Sequence, residues 1–183
     1  AGTSGTDNDV IIGHDIFRSV PAPLPRIEKV GYILSHSLDT TEFITESHMP
    51  ATIERIRPEF LWNKPHFTNL VTSVGGKTLH LSGLVSATIE GELIGPDDLG
   101  VQLAYVYDTL RCTLELGGAT PADVVRQRVF IVDLAPKDRP VIMKAMMDFY
   151  GDDKSASSTC VGVPGLLLEG ALVEIDITAV VDA

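Results

Sequence analysis

The sequence predicts an α+β domain in which two helices cover one face of a mixed β-sheet. Segments with the length of β-strands and with alternating or apolar residues lie before residue 86, near residue 130 and after residue 157. Two longer segments between these runs have the character of helices. The resulting order of elements is ββαβαββ, which places both helices on the same side of the sheet.

The first two strands are predicted on either side of a glycine turn. The runs from Phe67 to Ser73 and from Thr78 to Val85 alternate or are apolar, and Gly75-Gly76 separates them. Glycine adopts the positive φ angles of tight hairpin turns at little cost. We therefore expect two neighbouring strands joined by this turn.

The first helix is predicted to start at Pro96-Asp97-Asp98, where acidic side chains meet the partial positive charge of a helix N-terminus. Apolar residues at spacings of three and four then form a stripe along one face: Leu99, Leu103, Val106, Leu110 and Leu114. Gly117-Gly118 ends the pattern. The stripe indicates a helix with one buried face.

A strand, a helix and two closing strands complete the domain. We predict a central strand from Val124 to Leu134 and a helix from Arg139 to Tyr150. The closing strands run from Ser158 to Val163 and from Ala171 to Val181, on either side of a Pro-Gly break. An acidic residue, Glu174, lies inside the last apolar run. Burial of a lone carboxylate is costly, so this position needs a partner or a function.

The chain is predicted to divide into an N-terminal extension, residues 1–51, and the domain, residues 52–183. Residues 1–9 are rich in Gly, Ser, Thr and Asp, and prolines keep the segment from Val20 to Pro25 extended. The extension is too long and too apolar for a free linker, so we expect it to pack on its own domain or on a neighbouring subunit.

Composition narrows the classes of function. The net charge of −11 and the sequence pI near 4.7 disfavour a nucleic-acid partner, since phosphate binding needs clustered Lys and Arg. Apolar residues make up 44% of the chain, but no run approaches the roughly 20 residues that span a bilayer. We expect no membrane partner and a cytoplasmic location.

Histidines and cysteines do not indicate a metal or a disulfide scaffold. The 5 histidines lack the spacing of metal ligands, so no metal site is predicted. Cys112 and Cys160 are too few for a disulfide framework, and we expect both to be buried thiols.

Five segments together resemble a known family. The last two are Cys160-Val161-Gly162-Val163 and Ala171 to Asp176, and the three upstream are Thr78 to Gly83, Gly117 to Val125 and Val129 to Asp133. In order and spacing they resemble the RidA/YjgF reactive-intermediate deaminases over roughly residues 52–181. The resemblance implies a RidA/chorismate-mutase-like fold and a homotrimer with a central barrel. It places ligand clefts between neighbouring subunits.

The resemblance also implies a chemistry. Deaminases of this family hydrolyse small-molecule enamines and imines without a cofactor. By this resemblance Glu174 is the catalytic residue that positions the attacking water and transfers protons. A structural role for Glu174, tied to backbone or to Arg128, is the alternative.

The substrate-binding residues implied by the resemblance depart from the usual pattern. Ser158 stands where the family has an arginine that clamps the substrate carboxylate. Arg128, in the central strand, either holds an anion in its place or pairs with a structural carboxylate such as Glu174. Ser82 and the backbone N–H of Cys160 match ligand-contacting positions, and Phe67 replaces a common tyrosine. We therefore expect a more apolar cleft. The alternative for Ser82 is a structural role, because a serine before a glycine is also typical of a strand end.

Three functions follow from these residues. The first is a RidA-type hydrolase that deaminates an enamine, an imine or a related nitrogenous intermediate. The second is a trimer that binds a small ligand or regulates without catalysis. The third is a specialised pathway enzyme of the same fold that acts on a larger substrate enclosed by the extension.

Overall fold

Six strands and two helices follow one another over residues 50–62, 64–151 and 154–183, the part of the chain that the computed structural model describes. The elements are β1 (Thr52–Ile56), β2 (Leu70–Val74), β3 (Lys77–Val85), α1 (Leu99–Leu116), β4 (Val124–Val132), α2 (Arg139–Tyr150), β5 (Ser157–Val163) and β6 (Val173–Val181). Two short 3-10 turns precede β4 and α2. The division after residue 51 stays a prediction, since residues 1–49 lie outside the described ranges.

The main sheet has four strands in the order β3-β6-β4-β5. β6 runs antiparallel to both β3 and β4, whereas β4 and β5 are parallel. One face of β6 is buried under the helices through Val173, Ile175, Ile177 and Ala179. The predicted α+β fold with a mixed sheet and both helices on one face is therefore confirmed.

Both helices begin and end close to the predicted positions. The carboxylate of Asp98 caps α1 by accepting a hydrogen bond from the backbone N–H of Val101 at 3.0 Å. The stripe residues Leu103, Val106, Leu110 and Leu114 are fully buried. Each such side chain stabilises the fold by roughly 1.5–3 kcal/mol relative to an exposed one. The hydrophobic stripe thus fixes how α1 lies on the sheet.

The two strands predicted on either side of Gly75-Gly76 are present as β2 and β3, but they do not form a hairpin. Among the described residues β2 pairs with β1, while β3 pairs with β6 in the other sheet. Gly75 and Gly76 have φ angles of +72° and +73°, and a Cβ at Gly76 would lie 2.7 Å from that of Ala51. These glycines carry the chain from one sheet to the next. A turn sequence specifies the local bend, but the partner of each strand depends on distant residues.

β3 contains a bulge at Ser82-Gly83. Leu81 lies opposite Ile177 and Leu84 lies opposite Ile175, so three steps along β3 match two along β6. The extra residue bends the strand locally and changes the direction of neighbouring side chains. The bulge lies beside Glu174, which is opposite Val85.

No helix within the described ranges is both long enough and apolar enough to cross a membrane.

Candidate active site

The sheet divides the predicted site residues into two groups. Ser158 and Cys160 lie opposite the buried residues Gln127 and Val129 of β4, on the side of the helices. Arg128 and Glu174 belong to the other set of alternating positions and lie on the helix-free face. Because side chains alternate across a strand, no single face of one chain carries both groups.

A cavity of about 390 Å³ lies between the edge of β5, α2 and the segment before β2. Phe67, Ser158 and Cys160 line it, so three predicted substrate-binding residues are brought together. Its other walls are mainly apolar and include Leu134, Ile142, Met143 and Met146. This agrees with the expectation of an apolar cleft.

Ser158 is joined to a buried polar network that the sequence did not reveal. The side-chain amide of Gln127 donates to Ser158 Oγ at 3.0 Å. Its carbonyl Oε1 accepts from the hydroxyls of Tyr150 at 2.9 Å and Tyr107 at 3.2 Å. Burial raises the pKa of both phenols far above the ordinary value, so they remain donors. Ser158 keeps its own O–H for a ligand.

The two cysteines are exposed, so the expectation of buried thiols is wrong. Cys160 lies on β5, which is an edge strand of the main sheet. Among the described residues, a single bridge between Thr68 and Ser157 pairs with the outer side of this strand. An apolar pattern does not distinguish an edge strand from a central one. Partial burial in the cavity wall nevertheless raises the pKa of the Cys160 thiol, which disfavours the thiolate at neutral pH.

The carboxyl group of Glu174 fills the space beside Gly83. A Cβ at position 83 would overlap with Oε1 and lie 2.7 Å from Cδ of Glu174. Glu174 is half-buried on the helix-free face, and within the described ranges no side chain forms an ion pair with it. A carboxylate so placed can accept hydrogen bonds from a water or a ligand.

Arg128 pairs with Asp176 and not with Glu174. Its Nε donates to Asp176 Oδ1 at 2.9 Å, because the two residues lie opposite each other across β4 and β6. The residue opposite Glu174 on β4 is Phe130. The suggested Arg128 to Glu174 pair is thus wrong. The role of Arg128 as an anion holder stays a prediction.

Ser82 is exposed at the bulge of β3, directly before Gly83. It therefore lies near Glu174 in the chain's own sheet and away from the cavity on the helix side. Any contact of Ser82 with a ligand in that cavity would require a second subunit.

Comparison with known proteins places this arrangement in a family. The family model described as Endoribonuclease L-PSP matches residues 62–181. The structure of YyfB from Yersinia pestis, a Rid-family protein of unknown function, is 38% identical with a TM-score of 0.66. That match covers 70% of this chain and 98% of YyfB. This chain belongs to the RidA/YjgF family.

A second solved structure agrees in fold with this Rid protein. RidA from the Antarctic bacterium Psychrobacter is 24% identical with a TM-score of 0.51, and the match covers 63% of this chain and 88% of that protein. At this identity the likeness concerns the fold alone.

Besides Phe67, three aromatic or basic residues line the Rid cavity and were not predicted as site residues. Trp62, His66 and Arg139 line it together with Phe67. The Arg139 guanidinium carbon lies 5.8 Å from the centre of the Trp62 ring, and the His66 ring meets Phe67 edge-on at 5.2 Å. For Trp62 and His66 the available signal was a cluster of aromatic and basic residues just before the first predicted strand, whereas Arg139 is placed at the cavity by the packing of α2.

A larger cavity, of about 460 Å³, lies between β1, the end of α1 and the end of β6. None of the predicted site residues lines it. Arg55, in its wall, donates to the carbonyl oxygens of Ala122, Val124 and Ser155. Arg55 therefore connects backbone segments, which is a structural role.

The residues that the structure describes contain no group of three or more His, Cys, Asp or Glu side chains suited to a metal ion.

Proposed function

We propose that this Rid protein is a hydrolase that deaminates a small enamine or imine in clefts between the subunits of a homotrimer. The observation that carries the proposal is the position of Glu174. Its carboxylate is half-buried, has no cationic side chain bound to it among the described residues, and lies in space left open by Gly83. A carboxylate in this setting suits a general base for water.

The chemistry requires one water and one proton carrier. Glu174 takes a proton from water while the water oxygen attacks the imine carbon and the C=N double bond becomes a single bond. The carboxylic acid then returns the proton to nitrogen, which gives a carbinolamine. Glu174 next carries the hydroxyl proton to the nitrogen, and the C–N bond breaks as the C–O bond becomes a carbonyl, so that ammonia and a carbonyl compound are released. An enamine first gains a proton at carbon and loses one from nitrogen, which converts it to the imine. Glu174 ends each cycle as a carboxylate, so no external reagent is needed.

The open edge of β5 supports a site shared between subunits. In one chain the sheet separates Glu174 from the cavity lined by Phe67, Ser158 and Cys160. Residues 159–162 of β5 are exposed along this edge. A neighbouring subunit whose helix-free face packed here would bring its own Glu174 toward the cavity. It would also bring Arg128 and Ser82, the two predicted ligand contacts that one chain cannot supply.

The test compares Glu174→Gln with wild type on freshly generated 2-imino acids, with ammonia release as the measurement. Glu115→Gln, an exposed carboxylate at the end of α1, is the matched control. We expect wild-type acceleration, a loss of about 100-fold or more in kcat for Glu174→Gln, and no change for the control. Absence of acceleration by wild type, or full activity of Glu174→Gln, would overturn the proposal.

A second function, ligand binding without catalysis, is favoured by Ser158 and the apolar cavity. Without an arginine at position 158, the Rid cavity has Ile142, Met143 and Met146 as its main contact surface. Saturable binding of a small carboxylate with no hydrolysis of any imine in the panel would support this function. The acidic net charge of −11 disfavours RNA as a substrate.

A further inference from the structure

Among the residues that the structure describes, Arg139 has no carboxylate partner at the cavity. Its guanidinium lies against Trp62, while the side-chain ion pairs among the described residues join Arg128 to Asp176 and Lys144 to Asp148. The neighbouring Asp138 is engaged, because its Oδ2 accepts from the backbone N–H of Ala135 at 2.8 Å. The five N–H donors of Arg139 are therefore available to an anion.

His66 adds an unmet hydrogen-bonding group to the same wall. Its Nδ1 is buried behind the cavity wall and has no hydrogen-bond partner among the residues described, so a ligand oxygen would reach it after a rotation of the ring. Partial burial, followed by the charges of Lys64 and Arg139, lowers the pKa of His66, so the ring is neutral at pH 7. A neutral imidazole with its proton on Nδ1 can donate to a ligand oxygen. Such a contact would remove the cost of the unsatisfied group.

The opposite wall suits an apolar group. Ile142, Met143 and Met146 face the cavity from α2, and methionine side chains adapt to ligands of different shape. The volume of about 390 Å³ is in the range of small-molecule sites. A charged end and an apolar end within one cavity indicate a ligand with the same two parts.

We propose that Arg139, with His66 and Ser158, binds the carboxylate of a ligand whose apolar side chain rests on Ile142, Met143 and Met146. Arg139 thus supplies from α2 the cation that position 158 lacks. For the proposed deaminase, the inference rests on that proposed function and assigns the contact with the substrate carboxylate to Arg139.

Trp62 offers a direct measurement, because it is the single tryptophan of the chain and lines the cavity. The probe is 3-phenylpropanoate, which cannot be deaminated, and the matched neutral probe is 3-phenylpropanamide. Both are titrated by tryptophan fluorescence and by calorimetry at low salt. We expect saturable binding of the carboxylate and binding at least about tenfold weaker for the amide. Equal affinity for the two probes would overturn the proposal.

The variants are Arg139→Gln and Arg139→Lys, with Lys144→Gln on the same helix as the control. Arg139→Gln should weaken carboxylate binding about tenfold or more, Arg139→Lys should weaken it less, and Lys144→Gln should leave it unchanged. Calorimetry is needed because removal of the guanidinium also alters the emission of Trp62. Unchanged affinity in Arg139→Gln, with thermal unfolding like wild type, would contradict the proposed site.

The outcomes separate this inference from the proposed catalysis. Arg139-dependent binding of 3-phenylpropanoate without hydrolysis of any imine supports the site and removes the deaminase. Glu174-dependent hydrolysis with an unchanged KM in Arg139→Gln removes the site and retains the deaminase.

Discussion

The carboxyl group of Glu174 lies where any side chain at position 83 would have to be placed. A Cβ built on Gly83 would overlap with Oε1 and lie 2.7 Å and 3.0 Å from Cδ and Cγ of Glu174. The bulge of β3 begins at this point, so the strand, the glycine and the glutamate form one local arrangement. Gly83 is therefore a positioning residue for the proposed base.

Gly83→Ala should move the Glu174 carboxylate and reduce turnover. We expect kcat to fall about tenfold or more, with a destabilisation of about 1–3 kcal/mol from the forced overlap. Gly165→Ala is the control, because a Cβ there meets no atom within 4 Å. The measurements are kcat with a 2-imino acid and the free energy of unfolding in urea. An alanine at position 83 with wild-type kcat would show that the carboxylate does not depend on this space.

Within a single subunit, the ion pair between Arg128 and Asp176 should contribute little to stability. The side chain of Arg128 is 52% exposed and that of Asp176 is 18% exposed, so solvent screens much of their attraction. A double-mutant cycle with Arg128→Gln and Asp176→Asn should give a coupling free energy of about 0.2–1 kcal/mol in urea unfolding. A coupling of about 3 kcal/mol would indicate that the pair is covered, as in a tight subunit interface.

Gln127 should be costly to replace with an apolar residue. It is fully buried and accepts hydrogen bonds from Tyr107 and Tyr150 while it donates to Ser158. Gln127→Leu would leave two buried phenols without their acceptor, so we expect a destabilisation of about 2–4 kcal/mol in urea unfolding. Tyr107→Phe, which removes one donor, should cost about 0.5–1.5 kcal/mol. Equal stability of Gln127→Leu and wild type would argue against this network.

Cys160 should react slowly with thiol reagents at neutral pH. Partial burial raises the pKa of its thiol, so the reactive thiolate forms only as the pH rises above the ordinary range for cysteine. In a Cys112→Ser variant, the labelling rate of Cys160 should still increase with pH at values where the rate of a free thiol no longer changes. Saturating 3-phenylpropanoate should slow labelling, because Cys160 lines the same cavity. If the labelling rate of Cys160 stopped increasing at the same pH as that of a free thiol, or at a lower pH, the result would contradict the raised pKa.

The elements of the fold were predictable where one local pattern dominates. The stripe from Leu99 to Leu114 and the glycines after it defined α1, and α2 has the predicted bounds. Strand pairing was not predictable at Gly75-Gly76, because β1 contributes the partner of β2 from a segment in which no strand was predicted. The prediction that Cys160 is buried was also wrong, because the apolar pattern of β5 does not show that it is an edge strand.

The sequence by itself determined the family, the α+β class and the order of the main helices and strands, and it singled out Glu174 as the candidate catalytic residue, because these depend on local patterns and short motifs. Only the tertiary structure decided that Arg128 pairs with Asp176, that Gln127 holds Ser158, and that Arg139 and His66 share a cavity with Phe67. Such contacts join residues far apart in the chain. Their geometry follows from strand register and helix packing, which hydrophobic periodicity alone does not specify.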